Sequence, residues 1–443
     1  MGRMIRIVSL YAMSTFDTSP MIATRRPAVA DARAIPSLRN NFAWTFVSNM
    51  FYAGCQWGML SAIAKLGNPT IVGEFTLGLA ISAPVFMFSN LQLRAVQATD
   101  VQAECRFADY FTLRLLTTLL GLIVIVALLP FAAASSAVGL AILLVAVSKS
   151  VECMSDVIAG LLQREERLKL VSISLIIRGC GSVLAFSLTF AYFRNLALSI
   201  AAMSGVWLAV VLFYDVPNAK ALIGHGDGFF RFDARELWRL ILLGLPLGWV
   251  ATFGSLNANI PRYFLQHYLG LAEQGIYASL AYLIVAINLV VGALSVSVTT
   301  RLARLFAEGN HKQFVQLLTK LSMLGVLIAA VGVPSTFLVG RPLLTLLYRS
   351  EYADHVGLLA LLVGTAGINT IGAFLFCGVT AARSFRVQAP VYFVQMVVGV
   401  AGTALLVPRW GMIGAGVGLL LSAMTIVLGG VWALRRVVKA ELR

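Results

Sequence analysis

Apolar runs of about 20 residues recur along this chain from about residue 43 to near its end, separated by short polar connections. A hydrocarbon core of ~30 Å takes about 20 residues of helix at ~1.5 Å per residue. Runs of this length and number therefore read as membrane-spanning helices. On that template six spans fall at about 43–64, 75–98, 111–130, 137–162, 171–192 and 196–214. Six more fall at about 237–258, 272–299, 321–339, 356–380, 388–407 and 413–434. The expected fold class is an all-α polytopic membrane protein with about twelve transmembrane helices. Only 12% of the 443 residues are charged, about half the share in a soluble domain. No connection is long enough for a soluble catalytic domain, and the phosphate-loop pattern G-x-x-x-x-G-K-[ST] is absent. Neither an enzyme nor an ATP-driven pump is expected on this chain.

The distribution of basic residues sets the orientation. With the N-terminus in the cytoplasm, 25 of the 34 Lys and Arg fall on the cytoplasmic side, six on the other and three within spans. That bias is the positive-inside pattern, and it places both termini in the cytoplasm. The net charge of +15 is then an orientation device, and no nucleic-acid partner is expected. The organisation reads as a cytoplasmic tail without fixed structure (1–40), a six-helix lobe (41–214), a cytoplasmic linker (215–236), a second six-helix lobe (237–434) and a short C-terminal tail (435–443). The short apolar run IRIVSLYAM lacks a convincing cleavage site and is not read as a signal peptide. Five cysteines without C-x-x-C spacing and four scattered histidines give no metal site and no disulfide.

The two lobes echo each other. KLGNPTIVGEFTLGLA (65–80) opens the second span and YLGLAEQGIYASLA (268–281) opens the eighth. Both place Leu-Gly five or six residues before a Gly-x-aromatic, with Leu-Ala soon after. Spans two and eight share an orientation, so the repeat is parallel, about an axis along the membrane normal. Transporters built from such repeats hold substrate between their halves.

The fourth span departs from the apolar pattern. In KSVECMSDVIAGLLQREER (149–167), Lys149, Glu152, Asp156, Gly160, Gln163 and Arg167 share one helical face at 100° per residue. A charge at mid-membrane costs at least ~2.5–3.5 kcal/mol on insertion scales, so these groups must face protein or water. Arg94 and Arg178, at similar depth in spans two and five, are expected close enough to Asp156 or Glu152 to form ion pairs. An ion-pair network that merely fixes helix register is one reading. Three cations against two anions favour a water-filled cavity for an anionic ligand. In NIPRYF (259–264), Arg262 and Tyr263 could add a cation and a hydroxyl at the outer mouth, or serve as interface anchors.

Several of these segments resemble bacterial lipopolysaccharide and exopolysaccharide flippases. They include WTFVSNMFYAGCQWGMLSAIAKLG, VGEFTLGLAISAPVFMFSNLQLRAVQATD, K-x-x-E-x-x-S-D (149–156), LLQREER, ISLIIRG and NIPRYF. Those flippases belong to the multidrug/oligosaccharidyl-lipid/polysaccharide exporter superfamily, and the likeness covers nearly all of residues 40–434. It implies two six-helix lobes of the MATE-like type with alternating access to a central cavity in the bacterial inner membrane. The implied substrate is an undecaprenyl-diphosphate-linked oligosaccharide. Arg94, Lys149, Arg178 and Arg262 would meet its diphosphate; Glu152 and Asp156 would orient those cations or couple to a proton or sodium gradient. No cofactor is implied. Membrane lipids, a polysaccharide polymerase and a chain-length regulator are the partners this role brings with it. A drug–cation antiporter of the same fold, and a polysaccharide polymerase or ligase, are the competing readings.

Overall fold

The computed structural model describes residues 38–100, 105–133, 135–223, 228–382, 384 and 387–441. Nearly all of the expected N-terminal tail (1–40) lies outside that range. The described residues form helices and no strand. The first half contains α1 (Leu38–Leu66), α2 (Pro69–Ser89), α3 (Leu93–Thr99), α4 (Phe107–Ala132), α5 (Ser136–Arg164), α6 (Leu168–Phe193) and α7 (Leu196–Val210). A π-helical turn (Val211–Asp215) joins α7 to α8 (Val216–Lys220). The second half contains α9 (Ala234–Tyr268), α10 (Leu271–Leu283), α11 (Val285–Ala307), α12 (His311–Leu347), α13 (Ser350–Ala353), α14 (Val356–Ala381) and α15 (Gln388–Glu441).

Among the described residues, ten helical stretches are long and apolar enough to cross a bilayer. α1 adds a further 29-residue helix. α15 spans 54 residues, about 80 Å of helix at the standard rise, and folds back at Gly411 (φ 56°, ψ −134°), so it crosses twice. With α1, and with α15 counted as two arms, the described residues offer twelve helical stretches of membrane-crossing length. The helices start where short polar side chains can take the free backbone N–H groups. Asn68 Oδ1 accepts from Ile71 N at 3.0 Å, with Pro69 at the first helical position. Ser135, Asn195 and Asp233 cap α5, α7 and α9 in the same way.

The echoed segments of the two halves meet each other. A Cβ on Gly73 would stand 2.0 Å from the carbonyl oxygen of Leu271, and one on Gly275 would stand 2.1 Å from that of Pro69. Each carbonyl belongs to the residue four positions before the partner glycine, so the crossing is locally two-fold. Only glycine lets the two backbones approach this closely. Around it, Gln274 Nε2 donates to Thr76 Oγ1 at 3.1 Å and Trp57 Nε1 donates to the Tyr348 hydroxyl at 3.1 Å. Arg349 Nη2 donates to the carbonyl of Lys65 at 2.9 Å. One apolar core joins both halves here, including Met59, Phe75, Tyr277 and Tyr352.

The second span is not continuous. α2 ends at Ser89, Leu91 (φ 47°) and Gln92 (φ 49°) take left-handed conformations, and α3 restarts the helix. Two successive non-glycine residues in that region are costly and persist only where the surroundings hold them. Here Leu91 is held against α9, where a Cβ on Gly244 would lie 2.5 Å from the Leu91 carbonyl oxygen.

Candidate functional site

The stripe on α5 keeps its helical register in three dimensions, and the break between α2 and α3 turns Asn90 and Arg94 toward it. Arg94 Nη1 lies 3.4 Å from Asp156 Oδ1, and Arg94 Nε donates to Gln163 Oε1 at 3.1 Å. Gly160, one turn beyond Asp156, makes this approach possible. A Cβ there would fall 2.3 Å from Gln97 Oε1 and 3.3 Å from the Arg94 Cα. The other oxygen of Asp156 is held by Arg114 Nη2 at 2.9 Å, and the Arg114 side chain is fully buried. Arg114 Nη1 donates to the Asn90 carbonyl at 3.1 Å and to the Asn90 side-chain oxygen. That carbonyl also accepts from the Leu93 backbone N–H at 2.9 Å, so Arg114 ties the helix break to α4.

A second group lies one turn toward the start of α5. Lys149 Nζ donates to Glu152 Oε2 at 2.7 Å and stands 6.0 Å above the Trp207 ring. Arg178 and Tyr52 lie within electrostatic reach of Glu152, and Tyr282 of the second half reaches Lys149, Glu152 and Arg262. Arg178 is buried and its Nε has no hydrogen-bond partner. Arg262 donates to Asn259 Oδ1 at 3.3 Å, and its Nε is likewise buried without a partner. Its neighbours Tyr263, Tyr277 and Tyr282 carry no negative charge as phenols. Among the described residues neither Arg178 nor Arg262 has a carboxylate within 4.0 Å.

Arg94, Lys149, Glu152, Asp156, Gln163 and Asn90 line a cavity of about 400 Å³. A second cavity of about 630 Å³ shares Gln92 and Ala95 with it and continues against Pro246, Leu247, Val250 and Ala251. A polar chamber thus adjoins an apolar one at the break in the second span, between the two halves.

Three sequence-based expectations change. Arg94 pairs with Asp156 as expected, but Arg178 does not, because Arg94 and Arg114 occupy both oxygens of Asp156. Arg178 faces Glu152 instead. The Tyr263 hydroxyl donates to the Ala80 carbonyl across the halves, so it serves as a tie rather than a free hydroxyl at the outer mouth. Tyr263→Phe should lower stability by about 1 kcal/mol, the ordinary net worth of one hydrogen bond, without altering substrate binding. Chemical denaturation of the purified protein checks the first effect and a ligand titration the second. The sequence template starts the third span at about 111 and leaves Arg114 at its very end, whereas α4 begins at Phe107 and carries Arg114 two turns inside. The signal was present in the segment RFADYF: Asp109 accepts from the Arg106 backbone N–H at 3.1 Å, a helix-start pattern four residues before the assumed boundary.

No family model matches the chain. The capsular polysaccharide biosynthesis protein CapF of Staphylococcus aureus is 25% identical over 401 residues, covering 90% of this chain and 99% of CapF. Among solved structures, an inward-facing multidrug resistance MATE family transporter of the MOP superfamily superposes with a TM-score of 0.62 at 15% identity, covering 91% of this chain and 96% of that one. The Vibrio cholerae MATE transporter VcmN gives 0.61 at 13% identity, covering 91% and 97%. A MOP superfamily transporter from Pyrococcus furiosus, described as having a binding pocket of reverse polarity, gives 0.57 at 14% identity over 90% and 96%.

Proposed function

We propose that this chain, a polysaccharide-type exporter with the fold of the MOP superfamily, flips an undecaprenyl-diphosphate-linked oligosaccharide across the bacterial cytoplasmic membrane. The observation that carries this reading is a surplus of cations on and behind the wall of a polar cavity that adjoins an apolar one. Arg94 and Lys149 line the polar cavity with the acids Glu152 and Asp156. Behind that lining Arg114 pairs with Asp156, Arg178 lies within electrostatic reach of Glu152, and Arg262 lies among Tyr263, Tyr277 and Tyr282. Buried cations without counter-ions are costly, and a diphosphate supplies the missing negative charge. Arg94, on the cavity wall, is its first contact, and Arg178 and Arg262, which among the described residues have no carboxylate within 4.0 Å, draw it in from behind that wall. Lys149 joins them when the diphosphate competes for it with Glu152. The prenyl chain then lies along the apolar walls at Pro246, Leu247 and Val250.

The seal around Gly73 and Gly275 closes the side opposite the base-rich connections, so the cavity loads from the cytoplasm and releases on the outer face when that seal parts. A drug–cation antiporter would need acids free on its cavity wall to exchange a cationic drug for an ion, and here both acids on that wall are already bound to Lys or Arg. The relatives' fold supports a transporter rather than a polymerase or ligase. Lys149→Ala and Arg178→Ala should each abolish surface polysaccharide while leaving the protein at normal levels in the membrane. Normal polysaccharide in both variants would remove the cavity from the pathway.

A further inference from the structure

A buried carboxyl group lies behind the cavity, bonded to Ser155 on the flank of α5 beside the polar stripe. Asp215 ends the π-helical turn of the sixth span and is 2% exposed. From the sequence it belonged to the linker, but the helix runs on through α8, which brings it into the bundle. Ser155 Oγ of α5 donates to Asp215 Oδ2 at 2.5 Å. The Ser174 hydroxyl of α6, buried and without a partner of its own, lies beside the same carboxyl. The charged group facing Asp215 is Arg178, one turn beyond Ser174 on α6; Tyr214 is its neighbour in the chain. Among the described residues Asp215 has no cation within 4.0 Å.

These surroundings differ in kind from those of Glu152 and Asp156. Lys and Arg can only donate, so they suit a carboxylate and cannot accept from a carboxylic acid. A serine hydroxyl can do either. Ser155 and Ser174 can donate to the ionised Asp215, and by rotating they can accept from its protonated form. The pocket therefore satisfies both states without rearranging the backbone. π-Helical turns are also frequent at functional sites, and this one lies shortly before the connection that links the two halves.

We propose that Asp215 is a proton-binding site of this transporter, loaded and emptied during its cycle and linked to the cavity through Arg178. On loading, a carboxylate oxygen forms an O–H bond with a proton delivered by water, and on emptying the same proton returns to water. Arg178 stands within reach of both Asp215 and Glu152. Its orientation thus depends on which of the two carries negative charge, and the proton on Asp215 alters the charge the cavity presents.

Infrared difference spectra of the purified full-length protein, recorded across a pH titration without added substrate, test this directly. The wild type should show one carboxylic C=O band that titrates, absent from D215N and retained in E152Q and D156N. R178M, which removes the nearby cation, should keep the band and move its midpoint toward alkaline pH. The S155A/S174A double variant keeps the carboxyl and should shift the midpoint, which covers the case in which D215N does not fold. Absence of the band from the wild type, its persistence in D215N, or an unmoved midpoint in both R178M and S155A/S174A would overturn the proposal.

Discussion

Asp156→Ala is expected to be the most damaging single substitution in the cavity wall, at about 3 kcal/mol of stability, the low end of the range for removing one partner of a buried ion pair because Asp156 is partly exposed on the wall. The size follows from what remains. Arg114 is fully buried, and both it and Arg94 lose their carboxylate, leaving two cations in a confined site. The reverse change is milder. Arg114→Met removes the buried charge along with its pairing, while Arg94 still neutralises Asp156. The double variant Asp156→Leu with Arg114→Met should recover much of the loss, because a buried pair is often replaceable by apolar side chains of similar volume. Denaturation in detergent would measure all three. A single-variant loss below about 1 kcal/mol would mean that water, rather than Asp156, neutralises the two arginines.

The second large effect is expected at the crossing of the halves. Gly73→Val places a side chain where even a Cβ falls 2.0 Å from the Leu271 carbonyl oxygen. The obstacle is backbone, which cannot swing aside as a side-chain tip would, so the helices must separate. Overpacking in a well-packed core costs about 1–3 kcal/mol, and here that cost falls on the closed state alone. The variant should therefore insert normally, fail to seal its outer face and lose transport. Gly275→Val should behave identically, since its Cβ meets the Pro69 carbonyl oxygen at 2.1 Å. Gly58→Ala is the matched control, because nothing lies within 4 Å of its Cβ position. Thr76 and Gln274 touch across the seal, so cysteines at both positions should join through a short bifunctional thiol reagent. Gly58→Ala should preserve that crosslink, and either valine variant should abolish it. Crosslinking at the wild-type level in Gly73→Val would show that the crossing tolerates a side chain.

How much of this was legible in the sequence differs from residue to residue. The polar stripe was legible because Lys149, Glu152, Asp156 and Gln163 recur at helical spacing, which depends on one helix alone. The Arg94–Asp156 pair was legible because only a few cations share that depth. The choice between Arg94, Arg114 and Arg178 was not, since it depends on which helices are neighbours and on two local details. One is the left-handed break at Leu91 and Gln92, which no residue there announces by being glycine. The other is the start of α4 at Phe107, which sets the depth of Arg114.

Asp215 looked like part of a linker because Pro217 follows it, yet proline in the first turn of α8 is compatible with a continuing helix. The echo between residues 65–80 and 268–281 was visible as similarity. That its glycines touch one another was a property of the packing, which a repeat alone does not specify.

Reconstitution offers the most direct test of the central claim. Purified protein in proteoliposomes, with undecaprenyl-diphosphate oligosaccharide placed in one leaflet, should move the lipid to the other. The Arg178→Ala and Lys149→Ala proteins should fall to the rate of protein-free vesicles. A wild-type protein that leaves this lipid in place but exchanges a cationic drug for protons or sodium would contradict the account.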